Sequence, residues 1–190
     1  METQGRRVVV TEFMSLDGVI ESPSWSAPYW NDEIAAFKAE ESLATEALLL
    51  GRNTYEMFAA VWPTRGDEEP GAKEMNAMRK YVATTTLDQA GIDGMPWNGV
   101  RLDGDAMEAV RALKAEPGGD LLVYGSADLV RSLTQAGLVD EYRLLVYPVV
   151  LGAGKRLFDA EQATLDLVSA RPVGSGVTAL VYRPGTTPGA

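Results

Sequence analysis

A short apolar run that ends in a glycine and leads directly into a helix-like pattern occurs twice in this chain, at residues 47–54 and again at residues 121–127. Each run holds four hydrophobic residues without polar alternation, which indicates a strand buried on both faces of a sheet. Helices that directly follow such strands are typical of parallel strands joined by crossovers. The two units therefore predict an α/β fold with a mainly parallel sheet.

The rest of the chain continues this pattern as far as residue 136, after which strands follow one another without long helices between them. We therefore expect one domain over residues 1–183, with a mainly parallel central sheet, C-terminal antiparallel strands and flanking helices. Residues 184–190 are rich in Pro, Gly and Thr and are expected to be a disordered tail. The expected strands are 7–13, 47–50, 81–83, 100–102, 120–124, 141–150, 164–173 and 177–183, and the expected helices are 31–45, 54–61, 72–80, 105–114 and 125–136.

Residues with short polar side chains mark the starts of several expected helices. Asn31 and Asp105 are placed to cap the helices that follow them, and Asn53 or Thr54 can cap the helix after the first glycine. Gly137 is expected to end the last long helix in the left-handed conformation.

The charge balance limits the partners of the chain. Its formal net charge is −10, from 17 Lys and Arg against 27 Asp and Glu, and such an acidic surface repels nucleic acid. No apolar run approaches the length that spans a bilayer, so no membrane partner is expected. The N-terminus lacks a signal-peptide pattern, and a cytoplasmic location is expected by default.

Two residue types that carry much enzyme chemistry are missing. The chain contains no cysteine, which excludes disulfides, thiolate zinc sites and cysteine nucleophiles. It contains no histidine, which excludes Ser-His-Asp triads, His-based metal sites and the commonest general base. Any chemistry must use carboxylates, hydroxyls, backbone dipoles or a bound cofactor, and no metal site is expected.

The loops after the two glycines and after a third strand are candidates for binding an anionic ligand. Parallel strands present their carboxyl ends on one rim, where helix N-termini attract anions. Arg52 adds a guanidinium group suited to phosphate, and Gly125 lets a ligand approach the backbone at Ser126 and Ala127. Thr84 and Thr85, with Thr86, add hydroxyls to the same rim. Two anion sites on one rim suit a dinucleotide, although the same residues also fit loops that simply need a glycine or a cap.

Neither common phosphate-binding fingerprint is present. The G-x-G-x-x-G pattern is absent after every expected strand, so a standard Rossmann domain is not predicted. Residues 152–156 contain two glycines followed by Lys155 and Arg156, but they lack the spacing of a phosphate loop and no clear helix follows.

Three motifs together resemble the dihydrofolate reductase superfamily, and within it the branch of the C-terminal reductase domain of the bacterial riboflavin deaminase–reductase. Residues 15–18 read Ser-Leu-Asp-Gly, residues 51–55 are similar to the family's G-R-x-T-[YWF] cofactor motif, and residues 144–158 resemble the branch's late strand and Gly-rich turn. The resemblance covers nearly the whole chain. It implies a reductase of this fold.

The resemblance further implies an NADPH site. Arg52, with Thr84 and Thr85, would hold the adenosine 2′-phosphate. The remaining cofactor-binding positions implied at or near the pyrophosphate are Gly51, Asn53, Thr54, Gly125, Ser126 and Ala127. No acidic residue follows either glycine turn at the place where one would bind the ribose 2′-hydroxyl of NAD. This absence favours NADP over NAD.

The catalytic acid implied by the resemblance lies at the start of the first helix. Trp30 and Asn31 precede Asp32 and Glu33. Glu33 matches the single acid of the folate reductases when the two patterns are aligned on Phe37 and Lys38. Beside an apolar wall, its pKa could rise enough for proton donation. Both acids equally fit a simpler role, in which they complement the helix dipole.

The substrate is expected to be a pterin or folate, or a ribosylated aminopyrimidine. Asp17 is either a turn former or a polar contact near the nicotinamide, and Trp30 is a second candidate for the substrate side. Lys155 and Arg156 are candidates for holding a sugar phosphate. The alternative is a non-catalytic NADP(H)-binding module of the same fold.

The late strands also suggest a homodimer, because they offer more apolar surface than one short hairpin buries. The residues concerned are Leu144, Val146, Val149 and Leu151. The same residues also fit a role in completing the core of a monomer.

Overall fold

The computed structural model describes residues 5–95, 97–158 and 162–185. Its strands are β1 (Val8–Ser15), β2 (Thr45–Gly51), β3 (Arg79–Ala83), β4 (Gly99–Arg101), β5 (Asp120–Tyr124), β6 (Glu141–Tyr147), β7 (Leu165–Pro172) and β8 (Thr178–Pro184). Its α-helices are α1 (Asp32–Ala44), α2 (Arg52–Val61), α3 (Ala72–Ala77), α4 (Gln89–Asp93), α5 (Ala106–Ala115) and α6 (Ala127–Gln135). None of the helices within these residues is long and apolar enough to cross a membrane.

The described strands form one eight-stranded sheet in the order β4-β3-β2-β5-β1-β6-β8-β7. The strands from β4 to β6 in this order pair in parallel, whereas β8 pairs antiparallel with both β6 and β7. The parallel strands are joined by helices, whereas β7 and β8 are joined by a short turn and no α-helix lies between β6 and β7 among the described residues. The predicted fold, a mainly parallel sheet with C-terminal antiparallel strands and flanking helices, is confirmed.

Alternate residues of the central strands feed two helical layers. In β2, Leu49 packs in the cluster that contains α5 and α6, whereas Leu48 and Leu50 pack with α2, α3 and α4. Helix α1 packs on β6 and β8 through Ile34 and Phe37. Because both faces are covered, these strands carry uninterrupted hydrophobic runs, which is the pattern seen in the sequence.

Most helix ends follow the predicted caps. The Asn31 side chain accepts hydrogen bonds from the backbone N–H groups of Glu33 and Ile34, at 2.9 and 3.0 Å. The side chain of Asp105 caps α5, and Gly137 has a φ of 65° just after α6. The expected cap of α2 by Asn53 or Thr54 is wrong, because Gly51 is the N-cap residue and makes no side-chain cap.

Two segments outside the expected helices and strands contain helical turns. Residues Pro23–Tyr29 form a 3₁₀ helix, and α4 lies within the segment 88–99, where Asp88 caps it. Of the tail expected from Pro184 onward, Pro184 belongs to β8, and residues 186–190 lie outside the described residues.

The four late apolar residues named for a homodimer differ in exposure. Leu144 is buried in the core, and Val146 and Val149 pack partly buried against it. Leu151 remains at the surface, next to the exposed Val150. Three of the four therefore complete the core of a single chain, and a homodimer stays a prediction.

Candidate active site

A large cleft opens at the carboxyl ends of β3, β2, β5 and β1. Its volume is about 1320 Å³, which exceeds the usual range for a single drug-sized ligand. From β2 the chain enters α2 on one face of the sheet, and from β5 it enters α6 on the other face. The two loops therefore part between neighbouring strands, which is where open α/β sheets bind ligands.

The loops after β2 and β5 are joined by hydrogen bonds, as adjacent strands allow. The backbone N–H of Gly51 donates to Oγ of Ser126 at 2.9 Å, and the backbone N–H of Ser126 donates to Oγ1 of Thr54 at 3.1 Å. The structure thus brings together the two glycine units that the sequence predicted to be neighbours. It also shows that the Ser126 N–H, expected to face a ligand, is bound to Thr54.

A left-handed turn starts the second loop. Gly125 and Ser126 have φ values of 51° and 57°, a conformation that glycine adopts without strain. A Cβ atom on Gly125 would lie 3.4 Å from Oγ1 of Thr54, a contact tighter than most Cβ atoms make. Glycine therefore adopts this turn without strain, and the Cβ of any other residue would lie close against Thr54.

The other predicted cofactor residues line the cleft. Arg52 and Asn53 are exposed at the start of α2, and the Arg52 guanidinium makes no ion pair or hydrogen bond with any described residue. Thr85 is exposed, whereas Oγ1 of Thr84 accepts hydrogen bonds from the backbone N–H groups of Thr86 and Leu87 at 3.2 and 3.0 Å. Ala127 lies at the N-terminus of α6 on the same wall.

A buried polar cluster forms the floor of the cleft. Nζ of Lys38 lies 2.8 Å from Oγ1 of Thr11 and 2.5 Å from Oε2 of Glu41, and Thr11 donates its hydroxyl to Glu41 at 2.8 Å. The same Nζ lies 4.4 Å from the centre of the Tyr124 ring. Burial lowers the pKa of Lys38, but the nearby Glu41 charge and Tyr124 outweigh that effect and raise it. Lys38 and Glu41 therefore form a buried ion pair.

Glu12 lies next to this cluster and is only 5% exposed. Its Oε1 has no hydrogen-bond partner among the described residues. Burial raises the pKa of Glu12 well above its usual value, although Lys38 and the backbone N–H of Gly125 act in the opposite direction. A carboxyl group in this environment favours its neutral form.

Thr11, Glu12 and Lys38 are site residues that the sequence motifs do not identify. A signal was present, because Thr11 and Glu12 interrupt an apolar strand that is covered on both faces, where polar residues are costly. Lys38 lies on the side of α1 that meets the cleft, with Ala35, Ala39 and Ser42 at spacings of three and four residues.

The two acids assigned to catalysis do not reach the cleft. Asp32 and Glu33 are exposed in the first turn of α1, and neither belongs to the lining of the cleft. Glu33 precedes Lys38 by five positions in the helix, which rotates its side chain by about 140° from the side that faces the cleft. Asp32 and Glu33 therefore lie outside the lining of the cleft, and their positions fit stabilisation of the helix dipole. Their assignment as the acid stays a prediction that this geometry does not favour.

Of the two residues assigned to the substrate, only Trp30 lies at the cleft. It is 52% exposed, with its ring edge-on to Phe13 at a centroid distance of 6.4 Å. Asp17 is instead a structural residue, which accepts hydrogen bonds from the backbone N–H groups of Leu151 and Gly152 at 3.1 and 2.8 Å. A hydrogen bond from the Ser15 hydroxyl, together with these two, lowers the pKa of Asp17 to about 2.

The two basic residues considered for a sugar phosphate already have protein partners. Lys155 lines the cleft, where its Nζ lies 2.7 Å from Oδ2 of Asp128. Arg156 donates from Nε to the backbone carbonyl of Asp17 at 3.0 Å and does not line the cleft. These contacts place Arg156 in the turn that Asp17 organises.

Comparison with known families identifies the group to which this fold and cleft belong. The family described as the RibD C-terminal domain matches residues 6–179. This chain is a member of that family. The YyaP protein of Bacillus subtilis is 31% identical over 182 residues, which cover 93% of this chain and 94% of YyaP.

Solved structures of RibD-like proteins share the fold. A putative riboflavin biosynthesis protein from Shewanella superposes with a TM-score of 0.74 at 18% identity, over 95% of this chain and 99% of that chain. RibD from Acinetobacter baumannii superposes with a TM-score of 0.66 at 18% identity, over 97% of this chain and 59% of RibD. Membership of the RibD C-terminal domain family supports a reductase-type function.

Proposed function

We propose that this RibD C-terminal domain protein binds NADPH in the cleft and catalyses hydride transfer to a small heterocyclic substrate. The observation that carries the proposal is the pair of hydrogen-bonded loops at the carboxyl ends of β2 and β5. Each loop leads into the N-terminus of a helix, and α2 and α6 lie on opposite faces of the sheet. This arrangement suits the two phosphates and the extended shape of a dinucleotide.

The residues around these loops fit NADPH in three respects. The left-handed turn at Gly125 leaves its backbone open where a Cβ would crowd Thr54. Arg52 carries a positive charge that no described residue neutralises, as a 2′-phosphate site requires. The cleft of about 1320 Å³ has room for a dinucleotide and a second molecule. The Ser126 N–H is bound to Thr54, so the neighbouring backbone must supply the donors on that side.

The bound nicotinamide would supply the hydride, and the protein would position the two reactants and exclude water. Aromatic side chains that include Trp30, Phe58 and Trp62 line the part of the cleft between α1 and α2. Flat aromatic walls suit a planar heterocycle. The guanidinium of Arg65 lies 4.5 Å from the centre of the Trp62 ring, and its Nε lies 3.9 Å from Oε2 of Glu69.

A ribosylated aminopyrimidine and a pterin both fit such walls. The structural relatives, a putative riboflavin biosynthesis protein and RibD, favour the pyrimidine. Lys155 lies 2.7 Å from Asp128, whereas Arg65 lies 3.9 Å from Glu69, so Arg65 is the less tightly paired candidate for an anionic group of the substrate.

The proposal is tested by two measurements on the whole protein. Titration calorimetry should show NADPH binding that is tighter than NADH binding. Single-turnover mixing of the NADPH complex with a dihydropterin or a ribosylaminopyrimidine should oxidise the cofactor. NADPH binding without oxidation by either compound would support a non-catalytic module, and absence of NADPH binding would refute both functions.

A further inference from the structure

We propose that Glu12 is the acid that protonates the substrate during hydride transfer. The inference rests on the proposed function and adds a catalytic residue to it. Three observations carry it, namely the position of Glu12 in β1, the unpartnered oxygen of its carboxyl group and the charges around it.

The strand register places Glu12 at the rim of the cleft. Thr11 of β1 lies opposite Tyr124, the last residue of β5. Strand β1 continues to Ser15 beside β6, so Glu12 is the first residue of β1 that extends past β5. It lines the cleft below the turn at Gly125, next to the loop proposed to hold the cofactor.

The carboxyl group of Glu12 has an unused hydrogen-bonding atom. A neutral carboxyl has one O–H donor and a remaining acceptor oxygen. Oε1 is buried and has no partner among the described residues, whereas the backbone N–H of Gly125 is directed at the carboxyl group. Buried polar atoms are nearly always paired, so this unpaired oxygen in the wall of the cleft is available to hydrogen-bond a molecule bound there.

The surroundings of Glu12 favour the neutral acid at neutral pH. The side chain is 95% removed from solvent, and this burial raises its pKa. Lys38 of α1 and the N–H of Gly125 oppose the effect. Lys38, however, already lies 2.5 Å from the Glu41 carboxylate, and Tyr124 of β5 is a neutral phenol whose own pKa is raised by burial. Among the described residues these are the titratable groups coupled to Glu12.

Lys38 is a poorer proton donor than Glu12. Its ammonium group is directed at Thr11 and Glu41, and its pKa is raised rather than lowered. An efficient acid catalyst has a pKa near the working pH. Burial raises the pKa of Glu12 in that direction.

Hydride transfer and proton transfer together reduce the C=N bond of the substrate. The carbon of the substrate C=N bond receives a hydride, with its two electrons, from C4 of the NADPH nicotinamide, and the oxidised product is NADP⁺. The nitrogen takes the proton of the Glu12 O–H bond, which forms an N–H bond and leaves a Glu12 carboxylate. Solvent protonates that carboxylate after product release, so each turnover consumes one NADPH and one proton.

The protonation state can be measured without substrate. Carbon-13 NMR of glutamate-labelled protein, with Glu12→Gln to assign the signal, should show a Glu12 carboxyl that is still protonated at neutral pH. A carboxyl that titrates at the ordinary glutamate value would overturn the proposal.

The catalytic role is measured by single-turnover oxidation of NADPH with whichever compound the native protein reduces. Glu12→Gln keeps the shape of the side chain but removes the proton, so the rate should fall by about 10²–10⁴-fold, with NADPH affinity unchanged. Glu12→Asp should recover part of the rate, and the native rate should fall as pH rises through the pKa of Glu12. If Glu12→Gln keeps the native rate, the proton comes from water or Lys38 and the proposal fails. If the native protein reduces neither compound, the proposed function fails first and the catalytic role of Glu12 fails with it.

Discussion

The backbone N–H of Ser126 donates a hydrogen bond to the hydroxyl oxygen of Thr54 at 3.1 Å, across 72 residues of sequence. Together with the bond from Gly51 N–H to Oγ of Ser126, it fixes the spacing between the loops after β2 and β5. The threonine of the G-R-x-T motif therefore positions the second loop. Its hydroxyl is an acceptor within the protein.

Thr54→Val tests this coupling, because valine keeps the shape but removes the acceptor. We expect the free energy of unfolding to fall by about 1 kcal/mol, the usual net value of one such hydrogen bond, and NADPH binding to weaken. Urea unfolding and calorimetry measure the two effects. Thr178→Val, in β8 and away from the cleft, is the matched control, and equal effects of the two variants would contradict the coupling.

Arg52→Ala should weaken NADPH binding by about 1.5–3 kcal/mol and leave NADH binding almost unchanged, because only NADPH carries the 2′-phosphate. Calorimetry with both cofactors measures the difference. Arg79→Ala removes an exposed arginine at the amino end of β3, the opposite end of the strand from the cleft, and should change neither affinity. Equal losses for NADPH and NADH would refute the assignment of Arg52.

Gly125→Ala should strain the turn and crowd Thr54, since a left-handed alanine costs roughly 1–2 kcal/mol. Gly137→Ala is a matched control, with a φ of 65° and open space around the added Cβ. Both variants should lose similar stability in thermal unfolding, but only Gly125→Ala should weaken NADPH binding by about tenfold or more. Native NADPH affinity in Gly125→Ala would make this turn purely structural.

Asp17 should make stability depend on pH in the acid range. The pKa of Asp17 is lowered from 3.8 in the free side chain to about 2 in the folded protein. The unfolded chain therefore binds this proton first, so the stabilisation by Asp17 is complete above about pH 4 and is lost as pH falls through about 2. The melting temperature of Asp17→Asn should lie below that of the native protein at neutral pH, and the gap should close at pH 2. Asp67→Asn, in an exposed loop, controls for the loss of one charge. A gap that stays constant with pH would contradict the role of the Asp17 carboxylate.

Glu33→Gln should leave the rate of hydride transfer within about twofold, because Glu33 lies outside the cleft. It should instead reduce the free energy of unfolding by about 0.3–1 kcal/mol, since it removes a negative charge from the first turn of α1. Single-turnover kinetics and urea unfolding separate the two effects. A fall of about 10²-fold or more in the rate would support Glu33 as the acid.

Local patterns in the sequence determined the layered fold and the position of the cleft. The apolar runs before Gly51 and Gly125 identify buried strands, because a strand covered on both faces needs no polar alternation. Parallel strands carry their carboxyl ends to one rim, so the same patterns also place Arg52 and Thr85 at the cleft. The motif residues can be identified from the sequence because they follow directly after those strands.

Only the tertiary structure decided which polar groups face one another. The sequence cannot show that Thr54 binds Ser126, or that Lys38 of α1 lies between Thr11, Glu41 and Tyr124, because those residues are brought together by strand order and helix packing. Which carboxyl group can act as the acid also depends on how the chain is packed. Glu33 matched a family pattern but faces solvent, whereas Glu12 has no motif and became a candidate through burial and an unpaired oxygen. Burial and hydrogen-bond partners are properties of the packed chain, and they set the protonation state on which the chemistry depends.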